Sequence, residues 1–416
     1  MSSKKPDAYK QQILHLLFSQ PGLSRADLAD LLQVDRATVT RLCKELLDEL
    51  EIQPGEGVDP ENDPPSEGDG SKEILFSSQK EEAAEPVLDY GPKTELSAKV
   101  VLGRRREPLK LHQGVRCFVV LEVQYNVIRS GLISPYGDIF WDSSCKYPTV
   151  PKDGSELLDR LSSNIKQAIM KAQILDKIPS GLGIGLSGLV DSQNGILVYS
   201  KHLGVTGQPL ELTKALFEEF GLPCAIENDA KCCCYEVMTF GSFQDKRHFL
   251  YVLGDLESDS EDANRYLRVG LGTAVVMNGQ VLYGNNGFTG EFRSIFAQPS
   301  IQGQFGWEGD LDTKDIRSDT ALRSRYLQEL SMQIAYLVHY LDLEAVYLGG
   351  GIEAHKAELE PLIEKDLDHT WLYRNRVSKS IHLHFAPDQS KPVLRGAGAL
   401  IARSRYLDSN FDRSQV

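Results

Sequence analysis

Two helix-capping residues, Ser24 and Asp35, stand eleven positions apart, which leaves room between them for one short helix and a tight turn. Tyr9 to Gln20 carries Ile13, Leu14, Leu16, Leu17 and Phe18 as a helical apolar face and stops at Pro21-Gly22. Ser24 caps a second helix, with Asp27 three residues on and Leu28, Leu31 and Leu32 turned inward, ending near Gln33-Val34. Asp35 opens a third, Arg36 to Leu50, with Val39, Leu42, Leu46 and Leu47 inward. Capped helices joined by so short a turn form a helix-turn-helix, which assigns residues 1–52 to an N-terminal domain. Arg36, Thr38, Thr40, Arg41 and Lys44 occupy polar positions of the third helix, where groove and phosphate contacts are made. A small helical bundle with a merely solvated face has the same pattern.

The net charge of −14 argues at first against nucleic acid, because phosphate binding is driven by Lys and Arg. Its distribution removes the objection. Gln53 to Glu95 holds twelve acidic residues against Lys72, Lys80 and Lys93, while Lys99 to Arg116 holds six basic residues against Glu107. Residues 53–98, rich in Pro, Gly, Ser, Asp and Glu, read as an acidic flexible insertion with one short strand at Glu73 to Ser77. Residues 99–112 read as strand, Gly-Arg-Arg-Arg, strand. They form a wing or basic arm whose Arg104, Arg105 and Arg106 suit a narrow minor groove. An exposed cluster that only solubilises a domain boundary is the alternative.

Residues 113–416 alternate strands and helices as a two-lobed α/β domain. Cys117 to Val123 and Val127 to Ile133 form a hairpin, Ser155 to Leu175 a helix and Gly181 to Leu186 a strand. Leu210 to Phe220 (helix), Cys224 to Glu227 (strand) and Ala230 to Phe240 (helix) complete the first lobe. The second pairs Phe249 to Leu253 with Arg268 to Met277 across an acidic loop, then runs through a helix, Thr320 to Leu341, to a strand, Ala345 to Leu348. The similar build of the lobes hints at duplication. No apolar run is long enough to cross a bilayer and no export signal opens the chain; seven cysteines without a CxxC pair suit a reducing, cytoplasmic protein.

Asn228 and Asp229 follow an apolar strand and precede a helix, which puts them at the carboxyl end of a strand, where α/β sheets bind ligands. Their amide and carboxylate suit a hydroxyl-rich ligand, although both are also good helix caps. Glu291, after Gly287 and Gly290, suits close backbone approach to a ligand, and a surface carboxylate would look the same.

In the order and spacing of several blocks the chain resembles the ROK family (repressor, open reading frame, kinase). These blocks are Gly103-Arg104-Arg105, Gly183 to Asp191, Glu227-Asn228-Asp229-Ala230, Gly270-Leu-Gly272-Thr with Gly290-Glu291, Leu348 to Ile352, and Gly396-Ala-Gly-Ala399. The resemblance implies a winged helix-turn-helix followed by a sensor domain with the sugar-kinase-like, actin-like ATPase fold. It also implies a ligand site containing Gly188, His202, Asn228, Asp229 and Glu291, with His202 standing where a sugar-contacting Asn is usual. Family kinases carry an Asp-Gly-Gly-Thr-like phosphate turn where this chain has Glu122-Val-Gln-Tyr-Asn126. Phe292-Arg293-Ser294, Ser300, Gln302 and Trp307 stand where members carry a Gly-His and zinc-binding cysteines, so neither zinc nor another cofactor is expected.

The expectation is a cytoplasmic DNA-binding repressor, without kinase activity or catalytic residues, that holds a small carbohydrate between its lobes. It would bind a double-stranded operator as a homodimer or higher homo-oligomer, because helix-turn-helix proteins read paired half-sites. A sugar kinase, or a regulator that uses an empty sensor for dimerisation, are the alternatives.

Overall fold

The computed structural model describes residues 4–55, 72–75, 107–241, 246–255, 270–297, 304–306, 319–373, 376–377, 379–387 and 390–407. These divide into two compact units, one around the N-terminal helices and one spanning most of residues 111–416.

In the first unit, α1 (Lys4–Ser19), α2 (Arg25–Leu32) and α3 (Arg36–Asp48) bury Ile13, Leu14, Leu17, Leu28, Val39, Leu42 and Leu46 against one another. The caps fix the boundaries. The Ser24 hydroxyl accepts the Asp27 amide while the Asp27 carboxylate accepts the Ser24 amide, a reciprocal capping box. The Asp35 carboxylate accepts the amide of Thr38 at 2.9 Å. Leu31 departs from expectation: α2 buries Leu28 and Ala29, and Leu31, rotated off that face, is 54% exposed. Beyond α3, β1 (Ile52–Pro54) pairs with β3 (Leu109–Leu111), and the Gly55 amide donates to the Pro108 carbonyl at 2.8 Å. The wing therefore closes between segments more than fifty residues apart. Its inner strand runs past the expected boundary at residue 52, and β3 has β1 as its partner. Lys99 to Arg106, including Arg104, Arg105 and Arg106, lies outside the described residues.

The second unit contains two sheets of one design. The first has the order β6 (Ile139–Lys146), β5 (Val127–Ile133), β4 (Arg116–Gln124), β7 (Ile178–Leu186), β11 (Cys224–Asn228). Its first three strands are antiparallel neighbours, and β7 and β11 join in parallel. The second has the order β14 (Gln280–Val281), β13 (Gly270–Met277), β12 (Phe249–Asp255), β15 (Ala345–Gly349), β16 (Ser380–Phe385), again an antiparallel meander followed by two parallel strands. Position by position the two orders coincide, which agrees with duplicated lobes. The strand expected at Glu73 to Ser77 is β2 (Lys72–Leu75), and it forms the outer edge of the second sheet, beside β16.

Strand β4 is buried on both faces, which suits its apolar run from Cys117 to Leu121, and the buried stretch continues through Glu122 to Val123. Cys117, Val119, Leu121 and Val123 pack with Leu157, Leu161 and Ile165 of α4 (Gly154–Ile174). On the other face Phe118 meets Tyr406 of α9 (Pro392–Tyr406) edge-on at 6.2 Å. A small third sheet, β8 (Leu189–Asp191), β9 (Ile196–Tyr199) and β10 (Leu210–Glu211), precedes α5 (Leu212–Phe220). The second lobe adds α7 (Thr320–Tyr340) and α8 (Lys356–Thr370). Helix α6 (Asp229–Phe240) connects the lobes: a side chain at Gly396 of α9 would start 2.0 Å from the Cys232 carbonyl, and one at Gly272 of β13 would start 3.1 Å from the Ala230 methyl. Among the described residues no helix is long and apolar enough to cross a membrane.

Candidate functional site

On α3, Arg36, Thr40, Arg41 and Lys44 are exposed and Thr38 is half-buried. Thr38 is engaged in the cap: its hydroxyl donates to Asp35 at 2.6 Å, and that bond, with the Thr38 amide, holds the Asp35 carboxyl below its ordinary range. The Thr40 hydroxyl donates to the Arg36 carbonyl at 2.7 Å. Arg41 pairs with Glu45 at 2.9 Å, an exposed contact that a stronger anion displaces readily.

In the second unit the end of β11 and the start of α6 bring together Gly188, Asn228 and Asp229. Asn228 is the N-cap of α6: its Oδ1 accepts the amides of Ala230 (3.0 Å) and Lys231 (3.3 Å), and its Nδ2 donates to the Gly188 carbonyl at 3.2 Å. The capping alternative is thus realised for Asn228, whose amide fixes the turn after β7. Asp229 is half-buried, accepts the Ala230 amide at 2.8 Å, and faces the second lobe, where a Cβ on Gly272 would lie 3.5 Å from its Oδ1.

Glu291 reaches this region through the segment that starts at Tyr283. Lys231, 3% exposed, donates from Nζ to the Gly287 carbonyl at 2.6 Å. Gly290 has φ +101°, and a side chain there would start 1.8 Å from the Thr273 carbonyl, so only glycine brings the chain this close. Next to it Glu291 is open to water on one side; its packed side pushes the carboxyl up, and the Lys231 ammonium opposes that. The region therefore offers the Asp229 carboxylate, the Glu291 carboxylate and, bonded to the segment that leads to Glu291, the buried Lys231 ammonium.

A family model for the ROK family matches residues 143–331, and one for winged helix-turn-helix DNA-binding matches residues 6–49. This chain carries a ROK family domain behind a winged helix-turn-helix. It is similar to a putative xylose repressor of Caldicellulosiruptor sp. (strain Rt8B.4), 25% identical over 283 residues, covering 68% of this chain and 57% of that one. A glucokinase of Halalkalibacterium halodurans is 26% identical over 190 residues, 44% of this chain and 51% of that one. The chain thus spans little more than half the length of these two relatives. Among solved structures, a ROK family transcriptional regulator, homolog of the E. coli MLC protein, covers 96% of this chain and 97% of its own (TM-score 0.66, 19% identity). A ROK family glucokinase from Streptomyces griseus, solved with glucose and AMPPNP, covers 68% of this chain and 98% of its own (TM-score 0.52, 17% identity).

Within the ROK domain the remaining expected positions fall in two places. Tyr125 and Asn126 form the tip of the β4–β5 hairpin, and the Tyr125 ring meets the exposed His202 ring edge-on at 6.1 Å, so two departures from the family pattern touch each other. At the base of that hairpin Glu122, 3% exposed, accepts Arg129 at 2.7 Å. Burial pushes its carboxyl up, and the guanidinium opposes this. Ser294 lies in a polar network, accepting the Phe296 amide (3.1 Å) and Gln333 Nε2 (3.3 Å). Ser300, Gln302 and Trp307 lie outside the described residues.

Sequence reasoning missed a buried group here. Glu227 is fully buried; its Oε1 accepts the Asn228 amide (2.8 Å) and its Oε2 accepts the Tyr283 hydroxyl (2.6 Å), which is 2.7 Å from the Tyr235 hydroxyl. Because Tyr283 gives its proton to Glu227, Tyr235 donates to Tyr283. Together with Lys231, the chain from Tyr235 to Glu227 ties the segment leading to Glu291 to the helix that carries Asp229. The available signal was the placement of Glu227, Lys231 and Tyr235 four apart, which gives them one side of the strand end and helix.

Proposed function

We propose that this protein is a DNA-binding transcriptional repressor whose operator affinity is set by a carbohydrate or carbohydrate derivative held between the lobes of the ROK domain, without phosphoryl transfer. The observation that carries this reading is the conjunction of a capped helix-turn-helix with a β4–β5 hairpin unsuited to ATP. Phosphoryl transfer needs backbone amides and small residues close to the phosphates and a carboxylate free for magnesium. Here Gln124 and Tyr125 stand at the hairpin tip and Glu122 is neutralised by Arg129. Asp229, in the ligand site that the family resemblance implies, is left as a hydrogen-bond acceptor for a ligand hydroxyl. Gly188, held by Asn228, shapes the floor, while His202 and Glu291 contribute from the rim. Arg36, Thr38, Thr40, Arg41 and Lys44, with Arg104, Arg105 and Arg106 of the arm, serve the DNA, which the protein meets as a homodimer or higher homo-oligomer.

The test uses a duplex recovered by selection from random DNA and follows binding by fluorescence anisotropy during titration with xylose, glucose, N-acetylglucosamine and their phosphates. One of these sugars shifts operator affinity, and Asp229→Ala weakens that response on the order of tenfold while leaving sugar-free DNA affinity intact. Formation of sugar phosphate from ATP, magnesium and sugar by the wild-type protein, abolished in Asp229→Ala, overturns the reading in favour of a kinase.

A further inference from the structure

The hydrogen bonds on α3 alter what its recognition face presents. Residues near the N-terminus of the second helix of a helix-turn-helix contact base edges. On this helix both threonine hydroxyl protons are engaged within the protein, that of Thr38 by Asp35 and that of Thr40 by the Arg36 carbonyl. Just ahead of Thr38, Ala37 is exposed and carries nothing but a methyl group. Ala37 and Thr40 are three residues apart, so they are neighbours on one helix face. With its hydroxyl proton taken by the helix backbone, Thr40 has its γ-methyl left to offer on the face it shares with Ala37. Exposed Arg36 and Lys44 flank this pair, and neither has an ion-pair partner among the described residues.

In the major groove the chemical partner of a methyl is the C5-methyl of thymine, which cytosine lacks and a hydrogen-bonding side chain does not read. We propose that Ala37 and Thr40 are specificity-determining residues that recognise thymine in each operator half-site by methyl–methyl contact, with Arg36 and Lys44 holding the flanking backbone. The inference rests on the DNA-binding reading above and deepens it. It assigns a base-reading role to Ala37, which the polar pattern of the helix passes over, and it moves Thr38 from base contact to the cap.

The experiment takes the full-length protein, selects its preferred duplex from random DNA, and then replaces each thymine of the bound half-site singly by deoxyuridine, which removes only the C5-methyl. Loss of one buried methyl corresponds to roughly fourfold weaker binding, expected at one or two thymines and at no others. In Ala37→Gly or Thr40→Ser, which delete the protein methyl, thymine and deoxyuridine at that position should bind alike, while the slope of log affinity against log salt stays at the wild-type value. Circular dichroism confirms that each variant is folded, and Ala37→Ser provides a second route if the glycine frays the helix. Neutral replacement at every thymine overturns the proposal, as does a deoxyuridine penalty that persists undiminished in the Ala37→Gly, Thr40→Ser double variant. In either case sequence-selective binding itself remains. Failure to enrich any sequence instead removes the DNA-binding reading and this inference with it.

Discussion

Tyr283→Phe deletes one oxygen from the Glu227 network and should disturb it out of proportion to its size. Glu227 is fully buried, so no water replaces the lost donor, and its Oε2 is left without the 2.6 Å bond that Tyr283 supplies. A hydrogen bond to a charged group contributes about 1.5–3 kcal/mol. For a unit this large, at about 2 °C per kcal/mol, that corresponds to a drop in melting temperature of roughly 3–6 °C. Tyr235→Phe removes only the outer hydroxyl bond, between neutral groups, and should cost about 0.5–1.5 kcal/mol.

The pH dependence has a definite sign. Burial raises the Glu227 carboxyl and the Tyr283 bond opposes the rise, so removing Tyr283 raises it further. A carboxyl raised in the folded state favours folding while protonated and loses that advantage as pH climbs through the window between its unfolded and folded values. The deficit of Tyr283→Phe should therefore grow from pH 5 to pH 8. Urea denaturation of wild type and both variants across this range is the assay. Equal, pH-independent losses in the two phenylalanine variants would show that Glu227 does not carry a charge that Tyr283 stabilises, and the reasoning would fail.

Three further outcomes are expected. Arg129→Met strands Glu122; breaking a buried pair costs about 3–5 kcal/mol, but Arg129 is 35% exposed and Lys391 lies nearby, so about 1–2 kcal/mol is expected by urea denaturation, larger at pH 8 than at pH 5. Gly290→Ala forces a methyl to 1.8 Å from the Thr273 carbonyl at φ +101°; strain and overpacking together give about 2–6 kcal/mol, read by thermal melting, with loss of the sugar response. Replacing Arg104, Arg105 and Arg106 by alanine should weaken binding at all sequences and flatten log affinity against log salt by about 0.9 for each phosphate no longer neutralised, which anisotropy at several salt concentrations measures.

What could be read from the sequence was local. Ser24, Asp35 and Asn228 act within three residues of themselves, so the starts of α2, α3 and α6 were visible before any packing was known. The hairpin of Cys117 to Val123 with Val127 to Ile133 was visible too, and β4 and β5 form it. The wing was only half legible, because Ile52–Pro54 and Leu109–Leu111 find each other across the insertion and no local signal records such a partner. Strands of two to four residues, such as β8 and β10, carry too few side chains to show a period. Asn228 illustrates the limit at the site: the same residue type serves as cap and as sugar ligand, and its hydrogen bonds show the cap. Glu227 was hidden for the opposite reason, since a charged residue ordinarily signals surface, and the donor that holds its Oε2, Tyr283, lies 56 residues along the chain.

The path of the chain through β2 bears on how the protein can be divided. In sequence between the two wing strands, Lys72–Leu75 forms the rim of the second sheet beside β16. A sensor fragment begun at residue 112 would keep every lobe helix yet strip that rim, leaving the amides and carbonyls of Ser380–Phe385 as a bare template for strands of other molecules. A helix-turn-helix fragment ended at residue 62 would lose β3 and with it half of the wing. Each piece inherits an incomplete sheet.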